Sequence, residues 1–221
     1  MTTALLLTLV ALALVDSTSF GTLGIPVVML LSSGRSQTGR MLIYLATISL
    51  FYFLVGVALM LGLSAALENF GDVLRSRPAY WVQFFVGVGL FALSFRFDSK
   101  KPHKQWEPRL GGPLAMVTLG LTAGLIEVAT MVPYLAAIGI MGTAGLAVAQ
   151  WGPLLAGYVL VMIVPPLALM ALRAVAGERV EARLERLRAW ILKNARSAVG
   201  WSLGIVGFLL AGGAASTLFS V

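Results

Sequence analysis

Two carboxylates stand inside otherwise apolar stretches of this chain. Asp16 falls in the middle of Ala4–Leu31 and Glu127 in the middle of Pro113–Met141, and no other acidic residue lies within a stretch long enough to cross a bilayer. A charge at the centre of a membrane helix costs about 2.5–3.5 kcal/mol on insertion scales, so such residues face a bundle interior or a wet cavity and commonly mark an ion or substrate path. A carboxyl in that setting can also exchange a proton near neutral pH. Hydroxyls gather around the first one, as Ser17, Thr18, Ser19 and Thr22. Thr122 and Thr130 accompany Glu127 more sparsely, and Tyr134 follows seven residues on, which places it on the same face of a continuous helix. Hydroxyls in such positions ligate cations, bind a polar head group, or simply bond back to carbonyls of their own helix. The candidate substrate- or ion-binding set is therefore Asp16, Ser19, Thr22, Glu127, Thr130, Pro133 and Tyr134. A purely structural, hydrogen-bonded role for the two carboxyls is the alternative.

Other chemistry has little to work with. The chain has no cysteine and one histidine, His103, which stands among lysines in a polar stretch and reads as solvated. Thiol relays and metal sites need clustered ligands, so no metal and no cofactor is expected. No nucleophile–base pair or phosphate loop is present, and no catalytic residue is assigned. An enzyme would have to work through Asp16 and Glu127 alone.

The elements that must carry these residues are membrane helices. The 221 residues are 59% hydrophobic and 11% charged, against about 25% charged in soluble domains. Met41–Leu67 contains no charge at all, and a helix needs only about 20 residues to cross the hydrocarbon core. Six spans are expected, near Ala4–Leu31, Met41–Leu67, Ala79–Phe95, Pro113–Met141, Pro153–Leu172 and Ser197–Phe219. The first lacks the basic start and cleavage site of a signal peptide and is expected to be retained.

Fourteen of the sixteen basic residues fall in three alternate loops, after the first, third and fifth spans. Basic loops stay cytoplasmic, so both termini are expected to be extracytoplasmic in a multi-pass protein of the cell membrane. The net charge of +7 is then a matter of topology, and no nucleic acid is expected as a partner. In the last basic loop Val180, Leu184, Leu187 and Ile191 form one apolar stripe opposite arginines and glutamates. The segment 176–195 is expected to be a short amphipathic helix on the cytoplasmic membrane surface, near anionic lipid head groups. A homodimer is left open.

The two halves echo each other. Asp16 and Glu127 are each followed three residues on by a hydroxyl, Ser19 and Thr130, and then by Pro26 and Pro133. Gln37-x-Gly39 precedes the second span as Gln150-x-Gly152 precedes the fifth. Gly87 and Gly89 in the third span match Gly204 and Gly207 in the sixth. With three spans per half, the second half enters the membrane in the opposite sense, an arrangement that puts a substrate site at the midplane between interrupted helices. The expected fold is all-α, a polytopic membrane protein of six transmembrane helices in two inverted three-helix repeats. The first repeat covers 1–97, a cytoplasmic linker 98–112, and the second repeat 113–221. Gly21, Gly24 and Pro26, and the adjacent Pro165 and Pro166 of the fifth span, are the candidate hinges, since prolines and glycines free backbone groups within a span. Gln83 of the third span is a further polar candidate, although one glutamine can be satisfied by a helix–helix bond.

Leu12-Ala-Leu-Val-Asp16-Ser-Thr-Ser, running on to Leu30-Leu-Ser-Ser-Gly-Arg35, resembles the start of the LysE superfamily of exporters. More closely, Gly124-Leu-Ile-Glu-Val-Ala-Thr-Met-Val-Pro133-Tyr-Leu-Ala-Ala-Ile and Leu187-Arg-Ala-Trp190-Ile-Leu are similar to the Gap branch, the glycolipid- and sulfolipid-addressing proteins of actinobacteria. Relatives often place Asn-Pro shortly after the first acidic residue, where this chain has Ser19-Phe20. The resemblance implies export of a small polar solute or of an envelope glycolipid. Two readings of other classes stand beside it: an accessory scaffold of an envelope-lipid machine, and an intramembrane lipid-modifying enzyme.

Overall fold

The computed structural model describes residues 3–31, 37–74, 76–97, 112–128 and 131–219. Over these the chain is all-helical, with no strand. In chain order the helices are α1 (Thr3–Asp16), a π-helical turn (Phe20–Gly24), α2 (Ile25–Leu31), α3 (Gln37–Leu74), α4 (Arg77–Ser94), α5 (Pro113–Glu127), α6 (Val132–Thr143), α7 (Val148–Ala176) and α8 (Glu181–Phe219). Prolines sit in the first positions of α4, α5 and α6, where the missing amide costs nothing. Gly177 ends α7 at φ +56°, a left-handed conformation that glycine adopts without a steric penalty.

Within α3 and α7, Thr38–Ala65 and Val148–Ala176 are long and apolar enough to cross a membrane. Two bent pairs reach that length if each is one span: α1 with the segment Phe20–Leu31, bent by 64°, and α5 with α6, bent by 73°. Leu7, Leu54, Ile126 and Leu160 on these helices are 56–71% exposed, apolar surface that a bilayer would cover. The third and sixth expected spans are weaker. Helix α4 has 18 residues but opens on Arg77-Pro78 and holds Gln83, and the apolar part of α8 is confined to Leu203–Phe219.

The chain folds into two compact units, each drawing on both halves of the sequence. The first comprises Met1–Ala58 and His103–Lys193. There α1 packs on α6 and α7, and α2 on α7. The second comprises Leu59–Pro102 and Asn194–Val221. Its centre is a crossing of α4 and α8 at Gly87 and Gly207. A Cβ on Gly87 would lie 2.5 Å from the Ala211 nitrogen and 2.8 Å from the Gly207 oxygen, and one on Gly207 would overlap the Phe91 nitrogen. Small residues that let backbones touch are the usual currency of helix association in lipid. Gln83 donates to the Leu210 oxygen at 3.1 Å across the same pair, so its amide is satisfied by a helix–helix bond.

Two expectations need correction. The amphipathic segment 176–195 is not a separate surface helix. It is a 3-10 turn (Gly177–Val180) followed by the start of α8, which runs on without a break to Phe219. Its apolar stripe also turns inward. Val180, Leu184 and Ile191 are 4%, 2% and 5% exposed, and Ile191 clusters with Leu23 and Val27. The cluster is closed by Phe20, Leu31, Leu169 and Leu187. An amphipathic period requires only that one face leave water. The broken N-terminal helix offers an apolar surface to receive that face, so the stripe packs on protein. Second, Pro165 and Pro166 do not interrupt α7, which continues through both. His103 and the linker 98–111 lie outside the described residues, as do Arg35 and Thr130.

Candidate functional site

The break after Asp16 is built by side chains that replace backbone partners. The hydroxyls of Ser17 and Thr18 bond to the carbonyls of Leu14 and Val15 at 2.6 and 2.7 Å, and the amides of Thr18 and Ser19 fall back to residues three before them. Serine and threonine compete with the helix ladder in this way. Ser19 then adopts an extended backbone. The carbonyls of Asp16 and Ser17 face the Thr22 hydroxyl, each at 3.1 Å, so Thr22 does the work of missing amides. The next turn is π-helical, closed by the Ile25 amide on the Phe20 oxygen. Pro26 explains that width, because a proline ring clashes with the carbonyl four residues back, here that of Thr22. The break thus lies at Ser17–Ser19. Gly21, Gly24 and Pro26 belong to the ordered segment beyond it, and all three are buried.

The amide of Gly21, freed by this break, donates to Glu127 Oε1 at 2.6 Å. Gly21 permits the approach, since a Cβ there would stand 2.5 Å from Glu127 Oε2. The Tyr52 hydroxyl donates to Oε2 at 3.1 Å, while the Ser19 hydroxyl is paired with that of Thr22 at 2.5 Å. On the other side of the Gly21 peptide, the Tyr44 hydroxyl donates to its carbonyl at 2.6 Å. Glu127 is the last residue of α5, as Asp16 is the last of α1, so each carboxyl stands at the elbow of a bent pair. They are 6% and 4% exposed and lie within electrostatic reach of each other.

Asp16 is met by the Tyr158 hydroxyl at 3.3 Å from Oδ2. Tyr158 is one end of a row of rings. Tyr134 packs between it and Tyr52, with centroids 5.4 and 5.2 Å apart, and the Tyr134 hydroxyl donates to the Tyr52 carbonyl at 2.5 Å. The two carboxyls are thus joined by their mutual field and by a tyrosine row running from α3 through α6 to α7.

Of the residues expected from sequence, Asp16, Ser19, Thr22, Glu127 and Tyr134 come together here. Tyr134 arrives differently from expected. The bend after Glu127 breaks the helical register, and α6 rather than α5 delivers it. Pro133 stands at the start of α6, half-buried. Thr122 points elsewhere: it is exposed and bonds to the Thr118 carbonyl at 2.8 Å. Thr130 is outside the described residues. Sequence reasoning missed Tyr44, Tyr52 and Tyr158. Four of the five tyrosines in the chain are in this cluster, and a tyrosine deep in a charge-free span needs a partner for its hydroxyl, which was the available signal. Among the described residues no group of His, Asp and Glu is spaced to hold a metal ion.

Apolar helices bent around a buried carboxylate pair define the class as a helical membrane protein with a polar centre. The sequence profile of the family described as Sap, sulfolipid-1-addressing protein, matches residues 9–216, and the chain belongs to this family. That description is of an addressing protein for a sulfolipid. No curated protein and no solved structure matches the chain.

Proposed function

We propose that this protein is a transporter that moves an envelope glycolipid, or a small polar solute, across the cell membrane, coupled to protons or another ion through Asp16 and Glu127. The observation that carries the reading is the meeting of these two carboxyls at the elbows of two bent helices, within one buried network. A membrane protein keeps intramembrane carboxyls at a cost, and broken helices are where transporters build their sites. The family description, which names a sulfolipid, supports a lipid of the envelope as cargo.

The same reading takes the chain as six spans in two inverted repeats, with extracytoplasmic termini and kinship to the LysE exporters. The equivalent elbows after Asp16 and Glu127 support the repeat. So does the backbone contact of Gly87 with Gly207, glycines from matching spans of the two halves. Anionic lipid head groups remain the proposed neighbours of the exposed arginines at the start of α8.

A second reading has an observation in its favour. Both carboxyls are closely covered and bonded to protein groups, as an accessory protein with a static polar core would have them. Asp16→Asn and Glu127→Gln separate the two, since each keeps shape and most hydrogen bonds while removing the charge. Surface display of the envelope lipid, measured with expression matched to wild type, should be lost or uncoupled in both variants. Normal display in both would make the pair structural and the accessory role the better account.

A further inference from the structure

Among the described residues, the Gly21 amide and the Tyr52 hydroxyl both donate to Glu127. They are also held in place from behind. Tyr44 fixes the Gly21 peptide through its carbonyl, and Tyr134 bonds to the carbonyl of Tyr52. Such a set, buried and pre-oriented, is what an oxyanion needs when it leaves water, because each donor replaces a lost hydration bond without reorganising. The absence of a Cβ at Gly21 leaves the backbone open to an approaching oxygen.

We infer that the Gly21 amide and the Tyr52 hydroxyl form an oxyanion cradle occupied in this conformation by the chain's own Glu127, and that a substrate's sulfate, phosphate or carboxylate group takes the cradle when Glu127 is neutral or withdrawn. The inference rests on the transport reading and names the substrate class for that site. Two anions cannot share the cradle. Asp16 already lies within electrostatic reach of Glu127, and a third negative charge at low dielectric would be strongly repelled. Where Glu127 stays beside the cradle, anion entry is therefore linked to the uptake of one proton on its carboxyl. The titratable groups facing Glu127 are Asp16 from α1, Tyr44 and Tyr52 from α3, and, further along the row, Tyr134 from α6 and Tyr158 from α7. The tyrosines stay neutral in the working range of pH, so the carboxyls set the dependence.

The test uses the full chain in lipid nanodiscs, with methyl sulfate and methyl phosphate as probes and methyl glucoside as the neutral control. Wild type should bind both anions, more tightly as pH falls, and should not bind the control. Glu127→Ala, which removes the internal competitor, should bind at neutral pH at least tenfold more tightly than wild type and lose most of the pH dependence. Tyr52→Phe should weaken binding about tenfold, the value of one hydrogen bond to a charged group. If Glu127→Ala does not fold, the pH dependence of wild type and the loss in Tyr52→Phe decide. Nanodiscs doped with a sulfated glycolipid should compete with methyl sulfate if the natural anion is a lipid head group, and a lack of competition assigns the cradle to a free anion. Anion affinity that is absent, or indifferent to Glu127 and Tyr52, overturns the cradle while leaving transport open. Anion binding with no export defect in Asp16→Asn or Glu127→Gln overturns transport while leaving the cradle in place.

Discussion

Gly56 lies one turn after Tyr52 on α3 and faces the tyrosine row. A Cβ placed there would overlap the Tyr134 hydroxyl and stand 2.8 and 2.9 Å from the two terminal carbons of Leu155. Gly56→Ala must therefore push Tyr134 out of its slot and break its bond to the Tyr52 carbonyl. Overpacking a filled core costs about 1–3 kcal/mol, whereas hydrogen bonds between membrane helices average only about 0.6 kcal/mol. The alanine returns about 1 kcal/mol of helix propensity. The steric term decides, and the variant should lose about 1–3 kcal/mol. Tyr134→Phe removes the very atom in the way and by itself costs about one hydrogen bond. In that background Gly56→Ala still meets the two Leu155 carbons, the far end of a flexible side chain, but no longer the hydroxyl, so its loss should shrink and the double variant should be more stable than the two single losses predict by about 1 kcal/mol or more. Reversible unfolding in mixed micelles with increasing SDS, followed by circular dichroism, measures all four corners of the cycle. Losses that add within about 0.5 kcal/mol, the limit for independent sites, would refute the packing of Tyr134 against Gly56.

The crossing of α4 and α8 makes a sharper contrast. Gly207→Ala meets backbone, which cannot rotate away, and should abolish the folded form or cost more than about 3 kcal/mol, whereas Gly89→Ala, with open space around it, should be neutral or stabilising in the same unfolding assay. Ile191→Ala should cost about 2–5 kcal/mol as a buried large-to-small change, and unchanged stability with weaker membrane attachment would restore the surface-helix expectation. Under the proposed six-span topology, a C-terminal alkaline phosphatase fusion should be active and a fluorescent protein fusion that folds only in the cytoplasm should be dark; the reverse pattern sinks the topology.

Much of the plan was legible because the bilayer simplifies the code. A charge-free run such as Met41–Leu67 has one outcome, a helix, since no water is present to satisfy an open backbone. The same poverty of polar groups made Asp16 and Glu127 conspicuous. The interruptions after them could be anticipated from Gly21, Gly24, Pro26 and Pro133, although their position could not. Gly21, Gly24 and Pro26 looked like the breakpoint, but the hydroxyls nine to seven residues before the proline open the chain first and the proline only widens the turn beyond.

What the residues by themselves determined is which segments leave water and which few polar groups must travel with them, because both follow from transfer free energies that act locally. Tertiary structure alone decided what those groups touch. The apolar stripe of Val180, Leu184, Leu187 and Ile191 has the same period whether it meets lipid or protein, and only the arrival of Leu23 and Val27 settled it. Tyr44, Tyr52 and Tyr158 are unremarkable in two separate apolar runs, and they form a site because α3 and α7 bring their hydroxyls to a peptide and two carboxyls more than 70 residues away from some of them. Hydrogen-bond partners at that separation leave no trace in local periodicity, since periodicity records only the face that is buried.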